Sequence, residues 1–100
     1  MSDLPDDKVV DLVEGMRLAI TEFDSGQLAL DRLAWALKSR IAALRGLADD
    51  EWVDELRALW NQLEYLNAFF IDSGRPTLMP EERDEVADAL GELRAALIAY

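Results

Sequence analysis

Apolar side chains recur every three or four residues in four separate segments of this 100-residue chain, and this spacing most limits its fold. It places apolar groups along one face of an α-helix, whereas a half-buried β-strand needs them at every second position. In the first segment the recurring residues are Val9, Val13, Met16, Ile20 and Phe23. No run of alternating β-branched residues interrupts the four segments. The sequence therefore predicts an all-α protein.

Glycine and proline separate the four predicted helices. Gly26, Gly46 and Gly74 each follow an apolar segment, and Pro80 suits the first turn of the last one. The predicted helices cover about residues 5–24, 30–45, 50–71 and 80–98. Connections of roughly four to eight residues favour antiparallel neighbours. We therefore expect an antiparallel four-helix bundle that forms a single domain over residues 1–100.

The third predicted helix is the most apolar, and we expect it to be the central element. Its large apolar residues are Trp52, Leu56, Leu59, Trp60, Leu63, Leu66 and Phe70. Core packing is expected for Trp60 and Phe70. Trp35 and Tyr65 lie off the apolar stripes of their helices, so we expect at least one of these rings to be partly exposed. A wider core that takes in both rings is the alternative.

The absence of cysteine and histidine excludes several kinds of chemistry. Thiolate metal sites, disulfides and the usual general base at neutral pH all need these residues. Glu81, Glu85 and Asp88 have the spacing that Mg²⁺ would need in an all-α nucleotide pyrophosphohydrolase. However, Glu81 also stabilises a helix start, and the apolar seam of the fourth helix directs Glu85 and Asp88 toward solvent. We therefore expect no enzymatic activity, no cofactor and no metal.

The acidic charge is large and unevenly distributed. The formal net charge is −11, with +3 over residues 31–46 and −6 over residues 49–72. Nucleic-acid binding is driven by lysine and arginine, so direct binding to nucleic acid is disfavoured. A basic protein is the expected partner, and the chain itself is expected to be a monomer or a weak dimer.

A dense acidic segment at the start of the third helix marks the candidate binding residues. Acids in a first helical turn stabilise the helix dipole, but Asp54 and Glu55 lie beyond that turn. Carboxylates on a binding surface accelerate association with a basic partner. An exposed aromatic ring among acids is typical of a binding hot spot. We therefore predict Asp50, Asp54, Glu55, Trp35 and Tyr65 as partner-binding residues.

Several motifs together resemble small acidic helical immunity proteins of bacterial contact-dependent inhibition and polymorphic toxin systems. They are Phe23-Asp24-Ser25-Gly26-Gln27-Leu28, Asp50-Glu51-Trp52-x3-Leu56-x3-Trp60-x2-Leu63-Glu64-Tyr65-Leu66, Ser73-Gly74-Arg75 and Pro80-Glu81-Glu82-Arg83. The resemblance implies a protein that binds and neutralises a cognate toxin domain, commonly a nuclease with a basic active site. The alternatives are an acidic DNA mimic that inhibits a nucleic-acid-binding protein, or a structural homodimer that shares its apolar third helix.

The N-terminal residues and the lengths of the apolar runs bear on location. The N-terminus is acidic where a signal peptide would be basic, and no apolar run approaches the roughly 18 residues that span a bilayer. We therefore expect a cytoplasmic protein with no membrane contact.

Overall fold

The computed structural model describes residues 7–98 and contains four α-helices. They are α1 (Asp7–Asp24), α2 (Leu30–Leu44), α3 (Asp50–Ser73) and α4 (Pro80–Ile98). No strand occurs within residues 7–98, so the all-α class is confirmed. Apart from the start of α1, the helix ends agree with the predicted bounds to within two residues, an ordinary difference between assignments. The start predicted at residue 5 lies outside the described residues.

Local interactions determine where α3 begins and ends. The Asp49 carboxylate accepts a hydrogen bond from the backbone N–H of Trp52 at 3.2 Å, which caps the first turn. Gly74 follows the last turn with φ of 68°, in the left-handed region that glycine adopts without strain. Its N–H donates to the carbonyl of Ile71. The turn residues of the sequence therefore account for both ends of the longest helix.

The core is formed by one buried face of each helix. α3 packs against both α2 and α4. α1 packs mainly against α2 and makes a smaller contact with α4. The largest fully buried side chains are Met16, Ile20, Leu33, Leu37, Leu44, Leu56, Leu63, Leu90, Leu93 and Leu97. Gly15 lies beneath the Arg40 side chain, where a Cβ atom would collide with the guanidinium. These contacts produce one compact globule.

α3 buries less of its surface than its composition predicts. Its buried residues are Val53, Leu56, Leu63 and Asn67. Trp60 is half-buried and packs against the buried core, as predicted, whereas the half-buried Phe70 is not among the described side chains that pack there, so its assignment to the core is wrong. An indole ring needs an acceptor for its N–H. The Trp60 N–H donates to the carbonyl of Ala34 in the neighbouring helix α2, 2.8 Å away. α3 is therefore an amphipathic helix with one exposed side.

Candidate functional site

Trp35 and Tyr65 are the two most exposed aromatic side chains within residues 7–98. Trp35 is 70% exposed and Tyr65 is 72% exposed, which confirms that both rings lie outside the core. They occupy different surfaces, however. Trp35 faces a cavity between α2 and α3, and Tyr65 faces a groove between α3 and α4. The predicted binding residues therefore do not form a single cluster.

We call the groove between α3 and α4 the acidic groove. It is open and encloses about 540 Å³. Its lining residues are Asn61, Gln62, Tyr65, Leu66, Glu85, Asp88, Ala89 and Glu92. Glu85, Asp88 and Glu92 are spaced by three and four residues, so they follow one side of α4 and are all exposed. The groove thus places an exposed tyrosine beside three carboxylates.

The carboxylates of the acidic groove have no cationic partner within the described part of the chain. None of Glu85, Asp88 and Glu92 forms an ion pair there. The α4 acid that is paired is Glu82, whose carboxylate lies 2.6 Å from the Arg75 guanidinium. The three unpaired charges are therefore available to a cation from outside the molecule.

Two of the predicted acids are instead engaged within the chain. Arg45 Nη2 lies 2.8 Å from Asp54 Oδ1, and its Nη1 lies 3.6 Å from Asp50 Oδ1. The hydrogen bond from Arg45 to Asp54, supported by both nearby carboxylates, raises the pKa of Arg45 above its ordinary value. The guanidinium stays charged and offsets part of the acidity of this turn. Asp50 and Asp54 are thus weaker candidates for a cationic partner than their sequence suggests.

Glu55 lies on the same side of α3 as Tyr65. The residues Glu55, Gln62, Tyr65 and Phe69 recur at helical spacing, and all four are exposed. Phe69 is 57% exposed, so this side of α3 carries two aromatic rings. Of the three predicted acids, Glu55 is therefore the one that extends the surface containing the acidic groove.

We call the cavity between α2 and α3 the tryptophan groove. It encloses about 300 Å³ and is lined by Asp31, Trp35, Lys38, Trp60, Glu64 and Asn67. The Lys38 ammonium lies 5.8 Å from the centroid of the Trp60 ring, within the range of a cation–π contact. Asn67 is only 5% exposed, and its Oδ1 has no hydrogen-bond partner within residues 7–98. This groove combines aromatic faces, two carboxylates and one unsatisfied acceptor.

Sequence reasoning missed two features of these sites. The sequence directs Glu85 and Asp88 toward solvent, but they were not included among the binding residues, although their spacing places them on one side of α4. Asn67 was not recognised as buried, although it follows Leu63 by four residues and therefore shares its face. In both cases the helical position of a polar residue was the available signal.

The described residues offer no arrangement that identifies a metal centre or a membrane segment. No three carboxylates among residues 7–98 come together in a way that could hold a metal ion. Within the same range, none of the helices has both the length and the apolar character needed to cross a bilayer. No family model, curated protein or solved structure matches the chain. The two grooves are therefore the features of the molecule that bear on its function.

Proposed function

We propose that this chain is a non-catalytic immunity protein that covers a basic surface of a cognate toxin domain with its acidic groove. One observation carries the proposal: the 72% exposed Tyr65 lies beside Glu85, Asp88 and Glu92, which have no ion-pair partner within residues 7–98. A toxin that acts on nucleic acid needs a basic active site, because it must hold phosphates. Carboxylates that occupy this site compete with the nucleic acid, and the inhibitor needs no chemistry of its own.

The two kinds of residue in the groove have different roles in this proposal. The unpaired carboxylates create a field that steers a basic protein to the surface and raises the association rate. Tyr65 in the groove, and Phe69 outside it on the same side of α3, provide apolar area that slows dissociation once water is excluded from the contact. A stable complex of this kind buries about 1,200 to 2,000 Å² in total. The interface is therefore expected to extend beyond the groove over the exposed side of α3.

The proposal includes an antiparallel order of the four helices. Two hydrogen bonds from α3 support this order. Trp60 donates to the carbonyl of Ala34 early in α2, whereas Trp52, in the first turn of α3, donates to that of Ala96 near the end of α4, each at 2.8 Å. Arg45, just after α2, also pairs with Asp54. With this order α2 and α4 flank α3, and the two grooves lie on its opposite sides.

The proposal is tested first by protection and then by affinity. The product of the adjacent gene is expressed in cells alone and together with this chain. We expect it to stop growth when expressed alone and this chain to restore growth. The purified pair is then compared with a pair in which Glu85→Gln and Asp88→Asn remove two charges from the acidic groove. We expect binding to weaken about tenfold or more, mainly through a slower association rate that depends on salt.

A matched variant locates the binding surface. Asp50→Asn combined with Asp54→Asn also removes two charges, but from acids that Arg45 already engages. This variant is expected to bind within about threefold of the original chain, because exposed ion pairs contribute little. Equal weakening by both double variants would reject the acidic groove as the binding surface. A neighbouring gene product that is harmless, or that does not bind, would contradict the immunity function.

A further inference from the structure

The tryptophan groove contains a polar group that the protein leaves unsatisfied. Asn67 lies on the buried face of α3, four residues after the fully buried Leu63, and is 5% exposed. Its Oδ1 has no hydrogen-bond donor within residues 7–98. A buried acceptor without a donor destabilises the folded state, so such groups are rare in folded proteins. Asn67 is one of the residues that line this cavity, so an outside donor that satisfies the oxygen would have to enter there.

The aromatic walls of the groove suit a cation. The ammonium group of Lys38 already lies over the Trp60 ring, 5.8 Å from its centroid. The Trp35 ring is 70% exposed, so its face is open to a second cation. An arginine guanidinium is planar and weakly hydrated, and it stacks on aromatic faces more readily than an ammonium group does. The open ring therefore favours arginine over lysine as an occupant.

The charged groups of the tryptophan groove favour a cationic occupant. Asp31 and Glu64 line the cavity with Lys38, so acids outnumber bases there. Neither acid forms an ion pair with another described residue. We infer that the tryptophan groove receives an arginine side chain of a partner protein, which stacks on Trp35, pairs with Asp31 or Glu64 and donates to Asn67 Oδ1.

The partner's identity as a protein rests on the proposed function, and charge argues against a second copy of this chain. Two copies would each carry a formal net charge of −11 and would repel one another. Glu64 and Tyr65 are consecutive residues of α3 that line different grooves. A single partner lying across α3 therefore reaches both grooves, with an arginine in one and a wider basic surface over the other.

The inference is tested on the isolated chain with acetyl-Gly-Arg-Gly-amide as the probe. The matched control peptide contains citrulline, which has nearly the shape of arginine but no charge. Nuclear magnetic resonance spectra follow the indole N–H groups of the tryptophans and the side-chain amide of Asn67. We expect the arginine peptide to shift the signals of Trp35, Trp60 and Asn67, with a dissociation constant in the millimolar range, and to leave Trp52 unchanged. The citrulline peptide is expected to shift none of them.

Variants assign the binding to the groove. Glu64→Gln and Asn67→Leu are each expected to weaken binding of the arginine peptide about tenfold, because the first removes the negative charge that pairs with the guanidinium and the second removes an acceptor. Asp11→Asn removes one negative charge, as Glu64→Gln does, but from an exposed residue of α1 that lines neither groove, and it is expected to leave the affinity unchanged. Helicity by circular dichroism verifies that every variant is folded.

Three results would overturn the inference. They are no shift with the arginine peptide, equal shifts with the citrulline peptide, or equal weakening by Asp11→Asn. If the Trp35 signals move when only the protein concentration changes, the groove binds a second copy of this chain, and the arginine inference is rejected as well. None of these measurements uses the toxin, so a failed immunity assay and a failed arginine site are distinguishable.

Discussion

The two sides of α3 are anchored in the same way but differ in how their charges are arranged. Toward α2, the indole of Trp60 donates to Ala34, and toward α4 the indole of Trp52 donates to Ala96, each at 2.8 Å. The α2 side has Arg45 and Lys38, which engage two acids and one aromatic ring. On the α4 side, Glu85, Asp88 and Glu92 have no such partner within residues 7–98.

This difference shows that a count of acids along the chain does not locate the charge that a partner meets. Residues 49–72 have a formal net charge of −6, yet Asp50 and Asp54 in this segment face Arg45. Residues 73–100 have a net charge of only −3 but carry the unpaired carboxylates of the acidic groove. Pairing across helices, which depends on the fold, decides which acids remain available.

The largest effect is expected from a core residue of α3. Leu63 is fully buried in the core, so Leu63→Ala leaves a cavity and should lower the free energy of unfolding by about 2 to 5 kcal/mol. The same substitution at Leu18, which is 60% exposed, should change it by less than about 0.5 kcal/mol. Urea unfolding followed by circular dichroism measures both. Similar losses for the two variants would mean that Leu63 is not a core residue.

The next largest effect is a gain in stability expected at Asn67 of the tryptophan groove but not at Asn61 of the acidic groove. Asn67→Leu keeps a branched side chain but removes the unsatisfied Oδ1, so we expect the free energy of unfolding to rise by about 1 to 3 kcal/mol. Asn61→Leu changes an exposed residue of the acidic groove and is expected to produce no such gain. Thermal and urea unfolding of both variants test this prediction. A loss of stability in Asn67→Leu would show that its oxygen is satisfied in solution.

A smaller effect tests whether the two indole hydrogen bonds are equivalent. Trp60→Phe and Trp52→Phe each remove one N–H donor and keep an aromatic ring. Each variant is expected to lose about 0.5 to 1.5 kcal/mol of unfolding free energy, the usual net value of one hydrogen bond. The comparison of the two unfolding curves is the measurement. A large loss in one variant alone would break the symmetry of the two sides.

The smallest effect concerns the paired acid at the start of α4. The hydrogen bond from Arg75, with a second from the Met79 N–H, lowers the pKa of Glu82 below its ordinary value of 4.5. This stabilisation is therefore complete above about pH 4.5 and is lost as the pH falls through the lower pKa of the folded state. Glu82→Gln should flatten the decline in melting temperature over that acid range. Glu85→Gln, which removes an α4 acid that has no ion pair within residues 7–98, is the matched control for the change in charge.

The helices were predictable because their signals are local. The spacing of apolar residues, the glycines at the helix ends and Pro80 all act over a few neighbouring positions. The exposure of Trp35 and Tyr65 followed from the same spacing, since both rings lie off the apolar stripes. The role of these rings in binding a partner stays a prediction.

The content of each groove was not predictable from local signals, because it depends on which helix lies beside α3. Arg45 engages Asp54 through a turn between helices, and Trp60 finds its acceptor 26 positions earlier in the chain. Asn67 has the helical position of a core residue, but only the packing of α2 against α3 leaves its oxygen without a donor. Helix formation is a property of short segments, whereas charge pairing and the satisfaction of polar groups are set by neighbours distant in sequence.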